Sequence, residues 1–240
     1  MSSQLANYTI PSYVQLFNNI FVQSNSVEYP NFLEETKEDF KTILLGEVGQ
    51  RLIKKIEQGQ HAVFIEYGKN CKGKAFDGTL SRSRGWGADT VIHYDCTAQN
   101  VFDCKGSSIE SPRFIKLAHE MIHALHNSYG KNAQALKCKH NNFFWKSQEE
   151  FKTIFGNPSK NLNRKRPKIT ENAIRAERGL EERCSHFIDV PRHSDKPPKI
   201  KKMAQDYLIA SVAHRILKKP PVSASLLVKK IPQISKIAIL

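Results

Sequence analysis

Apolar residues recur at helical spacing through two stretches early in the chain. Phe32, Leu33, Phe40, Ile43 and Leu44 share one side of a helix predicted over 31–45. Val48, Leu52, Ile53 and Ile56 do the same over 47–57. The pattern then shortens. HAVFIEY at 61–67 is β-branched and aromatic and reads as a strand. Residues 68–87 carry five glycines and read as a loop or irregular hairpin, and ADTVIHYD at 88–95 is a second strand. Helical spacing returns with Phe114, Leu117, Ala118, Met121, Ile122 and Leu125. Ser111 is the expected cap of that helix, Pro112 its first residue and Gly130 its stop. Further helices are predicted over 143–155, over 171–179 between a Thr170 cap and Gly179, and over 203–217. A basic loop spans 156–168.

The chain has 240 residues, of which 40% are hydrophobic and 25% charged, enough for one domain with a real core. That balance excludes collagen-like, mucin-like and wholly disordered classes. No apolar run approaches the roughly 20 residues of a membrane span. The N-terminus lacks the basic start and compact apolar run of a Sec signal peptide. Residues 1–27 are Asn-, Ser- and Gln-rich and read as a flexible leader and candidate secretion signal. A folded unit is expected over 28–190, followed by a basic helix and tail over 191–240.

Net charge is +14, and residues 191–240 supply +9 of it. Such an excess suits an acidic partner: nucleic acid, an anionic membrane or an acidic protein. The five cysteines, Cys71, Cys96, Cys104, Cys138 and Cys184, are odd in number and include no Cys-x-x-Cys pair. Reduced thiols are expected, with neither a disulfide framework nor a zinc ribbon.

The chemistry lies in His119-Glu120-Met121-Ile122-His123, an HExxH motif on the predicted 112–129 helix. Positions i and i+4 share a helical face, so the two imidazoles can bind one Zn2+ ion. Glu120 beside them can act as general base toward the attacking water. A catalytic zinc takes three protein ligands. His126 is about 10 Å along the helix from His119, too far to share its metal. HExxHxxGxxH also fails, because His126 and Tyr129 stand at its Gly and last His positions. Glu171 and His140 remain as third ligands, with Glu177 a weaker fallback that points away from Glu171.

GADTVIHYD, LAHEMIHALHNSYG and above all TENAIRAERGLEER resemble the NleD-type effector zinc metallopeptidases that bacteria inject into host cells. The resemblance covers roughly 85–190, with Thr170, Glu171, Asn172, Arg175, Glu177, Gly179, Leu180 and Arg183 on the family's TENxxRxExGLxxR pattern. It implies an α+β, zincin-like catalytic domain over 28–190, mostly helical, with a small antiparallel or mixed sheet before the HExxH helix. It favours Glu171 as third ligand over His140. The family carries Tyr three residues after the last Arg; this chain has His186 there, so the resemblance gives His186 the carbonyl-polarising role. It further implies a monomeric endopeptidase, delivered into the host cytoplasm, that cleaves a signalling protein such as a MAP kinase.

Two other readings compete. A SprT/Spartan-like DNA-associated metalloprotease would use His140 and Phe144 and would exploit the positive charge. A basic, non-enzymatic nucleic-acid-binding protein would make the HExxH motif accidental. For the peptidase readings, the strand over 90–94 is expected to offer a free edge to substrate. The basic 68–87 loop, with Lys69, Lys72, Lys74, Arg82 and Arg84, would steer an acidic or phosphorylated target.

Overall fold

The computed structural model describes residues 11–103, 107–136, 147–156 and 168–183. Among these it is a mixed α/β fold of five helices, a five-stranded mixed sheet and a two-stranded ribbon. The chain opens with strands β1 (Tyr13–Phe17) and β2 (Ile20–Gln23), then helices α1 (Phe32–Leu44) and α2 (Glu47–Glu57). Strands β3 (Val63–Tyr67), β4 (Lys72–Ala75) and β5 (Thr90–Tyr94) follow, then the ribbon of β6 (Gln99–Phe102) and β7 (Ser108–Ser111). Helices α3 (Arg113–Ser128), α4 (Gln148–Phe155) and α5 (Glu171–Glu177) end the described part. No described helix is long and apolar enough to cross a membrane.

The sheet order is β1-β2-β3-β5-β4, with β2, β3 and β5 parallel and both edge strands antiparallel to their neighbours. Alternation puts Ile20, Val22, Val63, Ile65, Ile92 and Tyr94 on one face. They pack against Phe32 and Phe40 of α1, Leu52 and Ile56 of α2, and Leu117 and Met121 of α3 in a single core. The other face is half-buried and carries Phe21 stacked on Phe64, with Tyr13 edge-on to the same ring.

Two expectations change here. The leader foreseen over 1–27 contains an ordered hairpin at 13–23, which parallel pairing of β2 with β3 draws into the sheet. Its short strands escaped notice because each holds only four or five residues, with Gln15, Gln23 and the Asn18-Asn19 turn making the stretch read as polar. The 68–87 segment contributes β4, which pairs antiparallel with β5 from Lys72–His93 to Ala75–Thr90. The strand at 90–94 is therefore interior, and β4 holds the outer edge of the sheet.

Local signals place the helices that bear the site. Thr170 caps α5, its Oγ1 accepting from the Ala173 N–H at 3.1 Å, and Gly179 follows with φ +65°. Ser147 caps α4 in the same way through Glu150 N–H. The start of α3 differs from expectation. Pro112 is the cap residue, and the side chain of Ser111 makes no cap bond. That start is tied to α1, because Asp39 accepts from Arg113 Nε at 2.9 Å and from Tyr94 Oη at 2.7 Å. The helix expected at 203–217, the boundary near 191 and the basic tail lie outside the described residues.

Candidate metal centre

His119, Glu120 and His123 all lie on α3, and all are buried. Their helix packs against β4 and β5 of the sheet and against helices α1, α2, α4 and α5. The Nε2 atoms of His119 and His123 face one another at 3.0 Å, with the rings nearly perpendicular at 79°. Oε2 of Glu150, from the first turn of α4, lies 3.2 Å from each of these nitrogens. Two imidazole nitrogens and a carboxylate oxygen thus converge, all within 4.8 Å of one another. Bonds of about 2 Å to a tetrahedral ion separate its ligand atoms by roughly 3.3 Å. The donor set and its spacing therefore fit zinc.

Glu171 has a different place from the one foreseen. Its Oε2 sits 2.8 Å from Nδ1 of His119, the nitrogen on the far side of the ring from Glu150. Arg175 Nε donates to its Oε1 at 3.2 Å, and Arg183 Nη1 donates to its Oε2 at 3.0 Å. Glu171 thus holds His119 rather than joining the convergent oxygens. Glu149 does the same for the second imidazole, with Oε1 3.2 Å from His123 Nδ1. That oxygen also bonds His126 Nδ1, while Oε2 accepts from the Ala133 N–H at 2.7 Å. Glu149, His123 and His126 form a second convergent group, but it engages the Nδ1 side of His123.

Glu177, the fallback ligand, is remote from this cluster. It caps α2, accepting from the Val48 N–H at 2.9 and 3.0 Å. His140 and His186 lie outside the described residues. The sequence reading missed Glu149 and Glu150. Their one local signal is an acidic pair in the first turn behind Ser147, which any ordinary helix start also shows.

Charge in the cluster is mutually sustained. Burial works against protonated His119 and His123, yet both are raised, His119 by bonds to Glu150 and Glu171 and His123 chiefly by the charge of Glu150. Burial also opposes charge on Glu150, and the two imidazoles hold it well below the usual carboxylate range. Against the same burial, Arg183 first, then His119 and Arg175, bring Glu171 down to about 2. His126 is lowered by burial despite Glu149. A lowered carboxylate facing two buried imidazole nitrogens is an arrangement that suits a cation.

Glu120 turns the other way from its neighbours, toward β4. Its Oε2 accepts the Gly73 N–H, from the outer edge of that strand. A cavity of about 270 Å³ opens beside it, bordered by His119, Glu120, Glu171 and Arg183. Cys71 also lines it.

The Peptidase_M91 family model, described as effector protein, matches residues 20–186. No curated protein matches the chain. Among solved structures, the light chain of botulinum neurotoxin type G aligns at a TM-score of 0.49 and 16% identity. The alignment covers 95% of this chain and 65% of the light chain, so this chain spans less than two thirds of that one. The matched 20–186 interval takes in the β2–β3–β5 sheet, the HExxH helix and the TENAIRAERGLEER segment together, and the chain belongs to the Peptidase_M91 effector family, the NleD-type effector metallopeptidases.

Proposed function

We propose that this protein is a zinc endopeptidase, injected by a bacterium, that cleaves a signalling protein of the host cell. The carrying observation is the convergence of His119 Nε2, next in sequence to Glu120, and His123 Nε2 on one buried face of α3 with Glu150 Oε2 from α4. His119, His123 and Glu150 would hold the zinc, in place of the set with Glu171. When bound, zinc supplies Lewis-acid polarisation of the scissile carbonyl and of the attacking water.

The protein's own residues do the rest. Glu149 and Glu171 fix ring orientation and tautomer, so that both imidazoles present Nε2 to the metal. The Gly73 N–H holds the Glu120 carboxylate on the cavity side of α3. There Glu120 takes a proton from water and delivers it to the departing amine. Arg183 lines the same cavity and is anchored by Glu171, so its guanidinium is placed to meet charge developing on the carbonyl oxygen. His186 retains the carbonyl-polarising role as a proposal. A stress-activated MAP kinase is the substrate the family resemblance suggests. The family's description as effector protein supports action in the host cytoplasm.

The test pairs the zinc-loaded protein with purified MAP kinases and compares it with Glu120→Ala. Cleavage by the parent, and its loss in Glu120→Ala with zinc retained, supports the reading. Undiminished cleavage by Glu120→Ala removes Glu120 as the base.

A further inference from the structure

The cavity beside Glu120 continues one helical turn toward the start of α3, where Lys116 and Ser111 line it. Ser111 is 1% exposed, and its hydroxyl has no hydrogen-bond partner among the described residues. The residue ends β7 opposite Gln99, which also lines the cavity, and the helix cap it would ordinarily serve has passed to Pro112. A buried hydroxyl left unbonded is costly unless a ligand completes it.

Lys116 lies three residues before His119, on the same helical face. Its side chain is 5% exposed, with Nζ donating to the Thr97 carbonyl at 2.9 Å and 3.7 Å from Asp95. Lys69 stands exposed at the rim and makes no ion pair among the described residues. The lining carboxylates are already engaged. Asp95 accepts from the Thr97 N–H, Glu171 from Arg175 and Arg183, and Glu120 from Gly73. The three lining acids match the three lining bases in charge. With the carboxylates engaged, the Ser111 hydroxyl, the remaining N–H groups of Lys116 and exposed Lys69 are left to meet a group that accepts.

We propose that this cavity is a specificity subsite, beside the scissile bond, for an aspartate or glutamate side chain of the substrate. Ser111 Oγ and Lys116 Nζ donate to its carboxylate. The inference rests on the peptidase reading above and adds the class of residue that flanks the cleaved bond. A site built to hydrogen-bond a substrate group rejects the analogue that lacks it far more strongly than an apolar pocket rejects a methylene.

The experiment uses the full-length, zinc-loaded protein and a peptide library. Each position flanking the cleavable bond carries Glu, Asp, Gln or Asn in turn. At one position the acids should exceed their amides in kcat/KM by about tenfold or more, the scale of charge-assisted hydrogen bonds. In Ser111→Ala and Lys116→Gln that ratio should fall to about twofold or less. Ser111→Ala removes an atom with no partner, so it reads the subsite even if Lys116→Gln loses its fold, with zinc content and Tm as checks. Cleavage without an acid preference, or a preference that Ser111→Ala leaves intact, overturns the subsite and leaves the peptidase reading standing. Failure of the zinc-loaded protein to cleave any peptide overturns the peptidase reading, and the subsite with it.

Discussion

The backbone N–H of Gly73 donates to Oε2 of Glu120 across 2.6 Å, joining the outer edge of the sheet to the centre of the HExxH motif. A Cβ at position 73 would lie 3.0 Å from that same oxygen. The glycine therefore lets strand and carboxylate approach closely enough to bond. Gly73→Ala should leave the fold intact, since the atom it meets is the far end of a flexible side chain. It should push the carboxylate aside by a few tenths of an ångström and lower kcat by roughly 3- to 10-fold, less than the ~100-fold of a misplacement of about 1 Å. Zinc content should not change. Steady-state kinetics with metal analysis checks both halves.

Glu150 and Glu171 should separate cleanly as ligand and support. Glu150→Ala removes an oxygen 3.2 Å from both Nε2 atoms and should abolish tight zinc binding. Glu171→Gln leaves all three convergent atoms and should weaken zinc by about 10- to 100-fold, as loss of a residue that orients a ligand does. Competition with a chromophoric chelator measures both affinities. Equal losses would mean that the two acids play the same part.

Acid stability of the metal-free protein should report on Glu171. Its carboxylate falls from 4.5 to about 2 in the fold. A depressed carboxylate stabilises fully above its unfolded value, and the contribution fades as pH drops through the folded one. The gain is roughly 3 kcal/mol near neutral pH and should be lost progressively between about 4.5 and about 2. Urea unfolding across that window should show Glu171→Gln well below the parent at neutral pH and converging on it at the acid end.

Much of this architecture is visible in the amino-acid pattern. The helices at 32–44 and 47–57, the HExxH helix and the Thr170-capped helix all follow from apolar spacing, and the last keeps its expected cap. The hairpin at 13–23 does not. Its strands are short and partly polar, and what stabilises them is pairing with β3, some 40 residues on. The two histidines were legible because i, i+4 spacing dictates their shared face. The third convergent group was not, because the packing of α4 on α3 places Glu150. Motif resemblance marked Glu171 as the third ligand. Only the geometry reveals which nitrogen of His119 it faces.

Substrate capture should depend on the segment around β4. Arg82 and Arg84 are exposed there, as are Lys72, Lys74, Phe76 and Trp86, the last at 71%. Neutralising Arg82 and Arg84 together should lower kcat/KM toward an acidic or phosphorylated protein at low ionic strength. The deficit should shrink as salt screens the attraction within about 10 Å. An unchanged rate at low salt would leave the segment as a solvated connection.

The central claim is that His119, His123 and Glu150 form the ligand set. A crystal of the zinc-soaked protein, recorded on both sides of the zinc absorption edge, tests it most directly. The account predicts one strong anomalous peak within about 2 Å of both Nε2 atoms and a Glu150 oxygen, with Glu171 still on His119 Nδ1. A peak bonded to a Glu171 oxygen, or no peak between the two histidines, would contradict it.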